Sequence, residues 1–152
     1  MGIVAADNCV RISGMPDMAI TGLNHLTLAV SDLPASINFY RDVLGCKLRA
    51  EWPEGAYFEA GALWLCLSRD PNTVHAKRAD YTHYAFSVDI EHFEAFCARI
   101  LAVAPIWRGN ESEGGGIYFL DPDGHRLELH VGSLESRLSH YRDVSGSAVK
   151  QY

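Results

Sequence analysis

A chain of 152 residues is long enough for one well-buried domain or for two small modules sharing a core, and its 48% hydrophobic and 21% charged content is that of an ordinary globular protein. A net charge of -6 at pH 7, with no clustered cationic segment, excludes a nucleic-acid surface but leaves room for a small anionic substrate met by a few converging arginines. No run approaches the ~18 to 20 apolar residues of a membrane span.

Residues 1–19 carry no long apolar core and few basic residues, so they read as an N-terminal extension, expected to be mobile, and not as a secretory signal. The four cysteines, Cys9, Cys46, Cys66 and Cys97, form no CxxC pair. Buried free thiols in the cytoplasm are expected. Residues 24–30 alternate as a strand, with His25, Thr27 and Ala29 on one face and Leu26, Leu28 and Val30 on the other. Asp32 and Pro34 then favour a helix start, Ile37, Tyr40 and Leu44 recur at helical spacing, and Gly45 is its expected stop. Short alternating strands follow at 47–52, 56–60 and 63–67, and the polar stretch 68–79 reads as a linker.

The second half repeats the first. Residues 81–88 read as a strand carrying His83, Asp89 as a helix cap, and Phe93, Phe96, Cys97 and Ile100 as an apolar helical stripe. Strands are expected at 106–107, 117–120 and 126–131, the last two joined by the tight turn Asp121-Pro122-Asp123-Gly124. The economical architecture is α+β: two copies of β-α-β-β-β, one about 20–68 and one about 80–132, within a domain spanning 20–142 and followed by a tail, 143–152.

Candidate chemistry rests on His25 and His83 at equivalent positions of the repeat, joined by Glu128. Within 126–130, Arg126, Glu128 and His130 share one face while Leu127 and Leu129 point into a core. A carboxylate among apolar packing needs a cation or several donors to stay ionised. Two imidazoles and a carboxylate make a divalent-metal site with open positions, suited to Lewis-acid chemistry on a small oxygen-rich molecule. His130 is a partner of that carboxylate, a surface residue, or its substitute as ligand. Trp64 and Cys66 occupy the equivalent face of the first half and read as pocket lining.

The segments 24–30, 62–68, 80–86 and 118–132 resemble the vicinal oxygen chelate (glyoxalase/bleomycin-resistance/dioxygenase) superfamily, and within it the fosfomycin-resistance thiol transferases of the glutathione-dependent type. The resemblance runs from about residue 20 to 142. It implies a homodimer of paired β-α-β-β-β modules with manganese, or another divalent ion, where the subunits meet: His25 from one chain, His83 and Glu128 from the other. Fosfomycin and glutathione would be the substrates, the thiolate attacking an epoxide carbon. Thr27, Arg108, Ser112, Tyr118 and Arg137 match phosphonate contacts, with Thr27, Tyr57 and Arg137 in the catalytic roles. Trp64 and Tyr81 would line the pocket, Tyr57 and Tyr81 the thiol approach. Trp52 and Ser68 match glutathione contacts. The loop 109–116 resembles a potassium-binding loop, through Asn110, Ser112, Glu113 and Gly114. Gly116 stands where the family usually offers a serine, Glu54 replaces an amide and Glu111 a basic residue, changes that weigh against the carboxylates of glutathione. Three other functions stay open: an epoxide hydrolase with Glu54 or Glu59 as general base, a ferrous extradiol dioxygenase, and a non-catalytic small-ligand binder.

Overall fold

The computed structural model describes residues 20–73, 79–110, 114–144 and 148–152. The expected N-terminal extension, Cys9, His75, Glu111, Ser112 and Glu113 lie outside the described residues. Two four-stranded sheets form, each from one half of the chain. The first has the order β1-β4-β3-β2, from β1 (His25–Val30), β2 (Lys47–Trp52), β3 (Gly55–Ala60) and β4 (Leu63–Arg69). The second has the order β5-β8-β7-β6, from β5 (Tyr84–Ser87), β6 (Ile106–Arg108), β7 (Gly116–Leu120) and β8 (Arg126–His130). Each module runs strand, helix and three strands, and in each the first strand pairs parallel to the last while the others pair antiparallel. The α+β architecture of paired β-α-β-β-β modules is therefore the observed one.

Alternation builds one core from both sheets. Leu28, Val30, Leu65 and Leu67 of the first and Phe119, Leu127 and Leu129 of the second are buried in one cluster with Ile37, Tyr40 and Ile100 of the helices. The opposite faces of the sheets, which carry the candidate site residues, point away from it.

Helix α1 (Leu33–Asn38) begins as expected: the Asp32 carboxylate accepts from the Ala35 N–H at 3.0 Å and Pro34 sits in the first turn. Its end differs. Residues Phe39–Val43 form a π-helical turn, in which the Leu44 N–H reaches the Phe39 carbonyl at 3.2 Å and the Cys46 N–H the Tyr40 carbonyl at 2.9 Å. Gly45, at φ +69°, closes this widened turn, and the same stretch buries the adjacent rings of Phe39 and Tyr40. Helix α2 (Ile90–Val103) follows Asp89, whose side chain makes no capping bond, contrary to the sequence reading; its carbonyl instead receives the His92 N–H at 3.0 Å. Helix α3 (Leu134–Asp143) is capped reciprocally by Ser133 and Ser136. Cys46 and Cys66 are buried and Cys97 half-buried. Burial pushes the Cys46 thiol up to about 11, so it stays neutral and unreactive at neutral pH.

The turn Asp121-Pro122-Asp123-Gly124 does more than join β7 to β8. Asp123 accepts from the Ser31 N–H and hydroxyl at 2.9 and 2.7 Å, and from the Ser36 hydroxyl at 3.2 Å. Asp121 accepts from the Tyr40 hydroxyl at 2.9 Å, from His125 Nδ1 at 2.8 Å, and from the Asp123 and His125 N–H groups at 3.0 and 2.8 Å. Two buried carboxylates of the second module thus hold the first helix of the other. Burial, then the neighbouring Asp121 charge, raise the Tyr40 hydroxyl well above its ordinary pKa, so it remains a donor. Tyr40→Phe removes one donor from a buried carboxylate. A loss of about 1–3 kcal/mol is expected, read as a lower urea midpoint with an unchanged slope.

Candidate metal and substrate site

The two sheet faces carry matching rows of residues. On the first, register places His25 opposite Trp64, Thr27 opposite Cys66, and Cys66 opposite Tyr57, with Ser68 opposite Gly55. On the second, Ala85 and Tyr118 flank Glu128, and Ser87 and Gly116 flank His130. Cys66 thus occupies the place in the first module that Glu128 occupies in the second.

His83 precedes β5 instead of lying inside it, a correction to the expected strand 81–88. Its Nδ1–H donates to the Tyr81 carbonyl at 2.9 Å, a local bond that holds residues 81–83 out of the ladder. Because a carbonyl only accepts, Nδ1 carries the proton and Nε2 is turned outward, 3.0 Å from Glu128 Oε2. Glu128 is 5% exposed, and its other oxygen lies 3.1 Å from His130 Nδ1. A carboxylate oxygen and an imidazole nitrogen facing each other at that spacing are two donor atoms that one divalent cation can take.

His25 shows the same arrangement in part. Its Nδ1 bonds the Asn24 side-chain oxygen at 2.7 Å, which leaves Nε2 for a ligand, and its exposed ring leans on Trp64 with centroids 4.7 Å apart. The structure does not bring it to the other two. Among the described residues of one chain, no group of three His, Cys, Asp or Glu side chains forms a metal-binding cluster.

The remaining sequence-predicted residues fall into the same two sets. Trp52, Tyr57 and Trp64, each about two-fifths exposed, form an edge-to-face series with centroids 4.7 and 5.1 Å apart on the first sheet. Gly55 makes room for it: a Cβ there would lie 2.5 Å from the Trp52 ring. Thr27 and Ser68 are exposed on this face. Beside His83, Tyr118 is buried with its ring at 5.9 Å, Tyr81 stands at 5.0 Å, and the Arg108 guanidinium lies 4.8 Å over the Tyr81 ring. Arg137 is half-buried on α3. Of the expected potassium loop, Asn110 donates to the Gly114 carbonyl at 3.1 Å. The Asn110 amide also fills the space at Gly116, where a Cβ would lie 3.2 Å from its oxygen. Glu54 and Glu59 are engaged by cations on the first sheet, Glu54 by Arg69 at 3.5 Å and Glu59 by Lys47 at 3.7 Å and by Arg49.

Sequence reasoning missed Trp107. Its ring contacts Tyr81, His83 and Tyr118, its Nε1–H donates to the Leu127 carbonyl at 3.2 Å, and the Arg126 guanidinium lies 4.6 Å over it. Trp107 is the extra residue of a bulge: Ile106 pairs with Phe119 but Arg108 with Tyr118. The same bulge occurs at Arg49, between Leu48 opposite Phe58 and Ala50 opposite Tyr57. Only comparison of the two halves, strand by strand, carries that signal in the sequence.

The profile of the Glyoxalase/Bleomycin resistance protein/Dioxygenase superfamily matches residues 22–129. The chain is 53% identical over 127 residues to the glutathione transferase FosA of Serratia marcescens, covering 82% of this chain and 90% of that one. It is 40% identical over 130 residues to the metallothiol transferase FosB of Staphylococcus epidermidis, covering 82% and 94%. Among solved structures it resembles a mutant of the fosfomycin resistance protein FosX from Listeria monocytogenes, complexed with Mn(II) and 1S,2S-dihydroxypropylphosphonic acid, with a TM-score of 0.69, 29% identity, and coverage of 78% and 98%. No helix among the described residues is long and apolar enough to cross a membrane. The repeated β-α-β-β-β units, the extent of the match and the identity to these relatives together place this chain in the glyoxalase/bleomycin resistance protein/dioxygenase superfamily.

Proposed function

We propose that this protein is a metal-dependent thiol transferase that adds glutathione to fosfomycin. The observation that carries the reading is the outward Nε2 of His83 set 3.0 Å from Glu128 Oε2, in a chain 53% identical to a glutathione transferase. His83 and Glu128 of one subunit, with His25 of a second copy, would hold a divalent ion, and the Mn(II)-bound relative favours manganese. A bound ion supplies a Lewis acid for the epoxide oxygen. Arg108, braced over Tyr81, with Tyr118, Thr27, Ser112 and Arg137, would orient the phosphonate through charge-assisted hydrogen bonds. Asn110, Ser112, Glu113 and Gly114 would hold a potassium ion beside it. The aromatic face of Trp52, Tyr57 and Trp64, with Ser68, would receive the thiol. The sulfur–carbon bond forms as the epoxide carbon–oxygen bond breaks, and the freed oxygen takes up, through solvent, the proton given up by the thiol and ends as a hydroxyl.

Ion pairing of Glu54 and Glu59 weighs against a role as general base for water. The deciding measurement is mass spectrometry of fosfomycin incubated with protein, Mn²⁺ and K⁺ and with glutathione, L-cysteine, bacillithiol or no thiol. The expected product carries the mass of glutathione. A gain of water without thiol assigns hydrolysis instead, and intact fosfomycin under every condition rejects the reading.

A further inference from the structure

The second carboxylate oxygen of Glu128 and the imidazole beside it are not used by that reading. His130 Nδ1 is buried and, among the described residues, has no hydrogen-bond partner of adequate geometry, although Glu128 Oε1 is only 3.1 Å away. The contact lies off the line of a full hydrogen bond. Glu128 meanwhile is held at its other oxygen by His83 at 3.0 Å. One carboxylate is thus gripped on both oxygens by imidazoles, one well aligned and one not. A buried ring nitrogen left without a partner is destabilising, and a small rotation of the carboxylate would supply one.

The surroundings fix which group moves. His130 lies between Ser87 and Gly116 in the ladder, two small neighbours that let its ring lean along the sheet toward Glu128. Gly132, at φ +137° in the turn into α3, leaves room for its far side: a Cβ there would lie 3.2 Å from His130 Nε2 and 3.0 Å from Ser136 Oγ. That turn is pinned by the reciprocal Ser133–Ser136 cap. The ring sits close under this turn, and a small turn of the carboxylate about its terminal bond is enough to bring Oε1 into line with Nδ1.

Resting on the metal-site reading above, we infer that His130 is the positioning residue of the centre: its Nδ1–H closes on Glu128 Oε1 when Oε2 leaves the His83 hydrogen bond for the cation. The orphaned nitrogen of the metal-free chain is satisfied in the loaded one, so part of the binding free energy comes from a residue that does not touch the ion. The same brace links the carboxylate to α3, which carries Arg137.

The test reads Mn²⁺ affinity by electron paramagnetic resonance of the free aqua ion, with no turnover involved, on the full chain and its His130→Ala, His130→Asn and His130→Gln variants. Alanine is expected to weaken binding about 10- to 100-fold, the usual effect of deleting a partner that orients a ligand. Asparagine, whose amide nitrogen falls near the place of Nδ1, restores affinity to within about threefold, and glutamine, one methylene longer, does not. Unchanged affinity in His130→Ala overturns the inference, and so does complete loss of binding equal to that of His83→Ala, which makes His130 a ligand. Should the alanine variant fail to fold, the Asn and Gln variants decide, equal affinities counting against the role. Wild-type protein that binds no Mn²⁺ rejects the metal centre itself, a result distinct from a wild type that binds and a His130→Ala variant that binds equally well.

Discussion

The His83→Ala variant is expected to lose bound Mn²⁺ and, with it, turnover by about a thousandfold or more. Nε2 of His83 faces Oε2 of the buried Glu128 carboxylate, and its direction is set by the 2.9 Å bond from Nδ1 to the Tyr81 carbonyl. Alanine removes the donor and its aim together. Polarising the epoxide oxygen is worth several kcal/mol, and a loss of about 4 kcal/mol is a factor of about a thousand in rate. The measurement pairs metal content of the purified variant with product formation at saturating Mn²⁺. Circular dichroism and the urea midpoint establish that the variant is folded, because His83 belongs to none of the packed core. A folded variant that retains metal and full rate removes His83 from the site.

Mixing two inactive variants should restore activity. His25 stands on the face of the first sheet, and His83, just ahead of β5, faces Glu128 on the second. One chain assembles no cluster of three among its described residues. If a second copy supplies the missing imidazole, then His25→Ala and His83→Ala are each inactive alone. Co-refolded together, they form heterodimers in which one of the two shared sites holds both native histidines and the other holds neither. Random pairing makes about half the dimers heterodimers, so about a quarter of wild-type activity is expected. Mixtures that stay inactive while the variants demonstrably exchange subunits show that each site belongs to one chain.

Much of this fold is legible in residue order because alternation and helical spacing are local properties. Leu28, Val30, Leu127 and Leu129 declare the buried side of their strands, and the structure buries them. Asp32 and Pro34 mark a helix start by stereochemistry that needs no distant partner. Where tertiary contacts compete with local pattern, the reading fails. The π-helical turn at Phe39–Val43 and the departure of His83 from the ladder each follow from a hydrogen bond that hydrophobic spacing does not encode. The bulge at Trp107 is more consequential. Strict alternation puts Ile106 and Arg108 on one face, whereas the extra residue sends Ile106 toward the core row and Arg108 to the row of Tyr118 and Glu128.

The amino-acid order by itself determined the two-fold repeat and the sided strands, and pointed to His25, His83 and Glu128 as candidate ligands by chemical type. Each is written in residues a few positions apart, where period and side-chain chemistry suffice. Only the tertiary structure decided which ring nitrogen of His83 faces the carboxylate, and that Asp121 and Asp123 fasten one module to the other. Those relations depend on distances between segments tens of residues apart, set when both sheets pack against one core, and no local pattern can specify them.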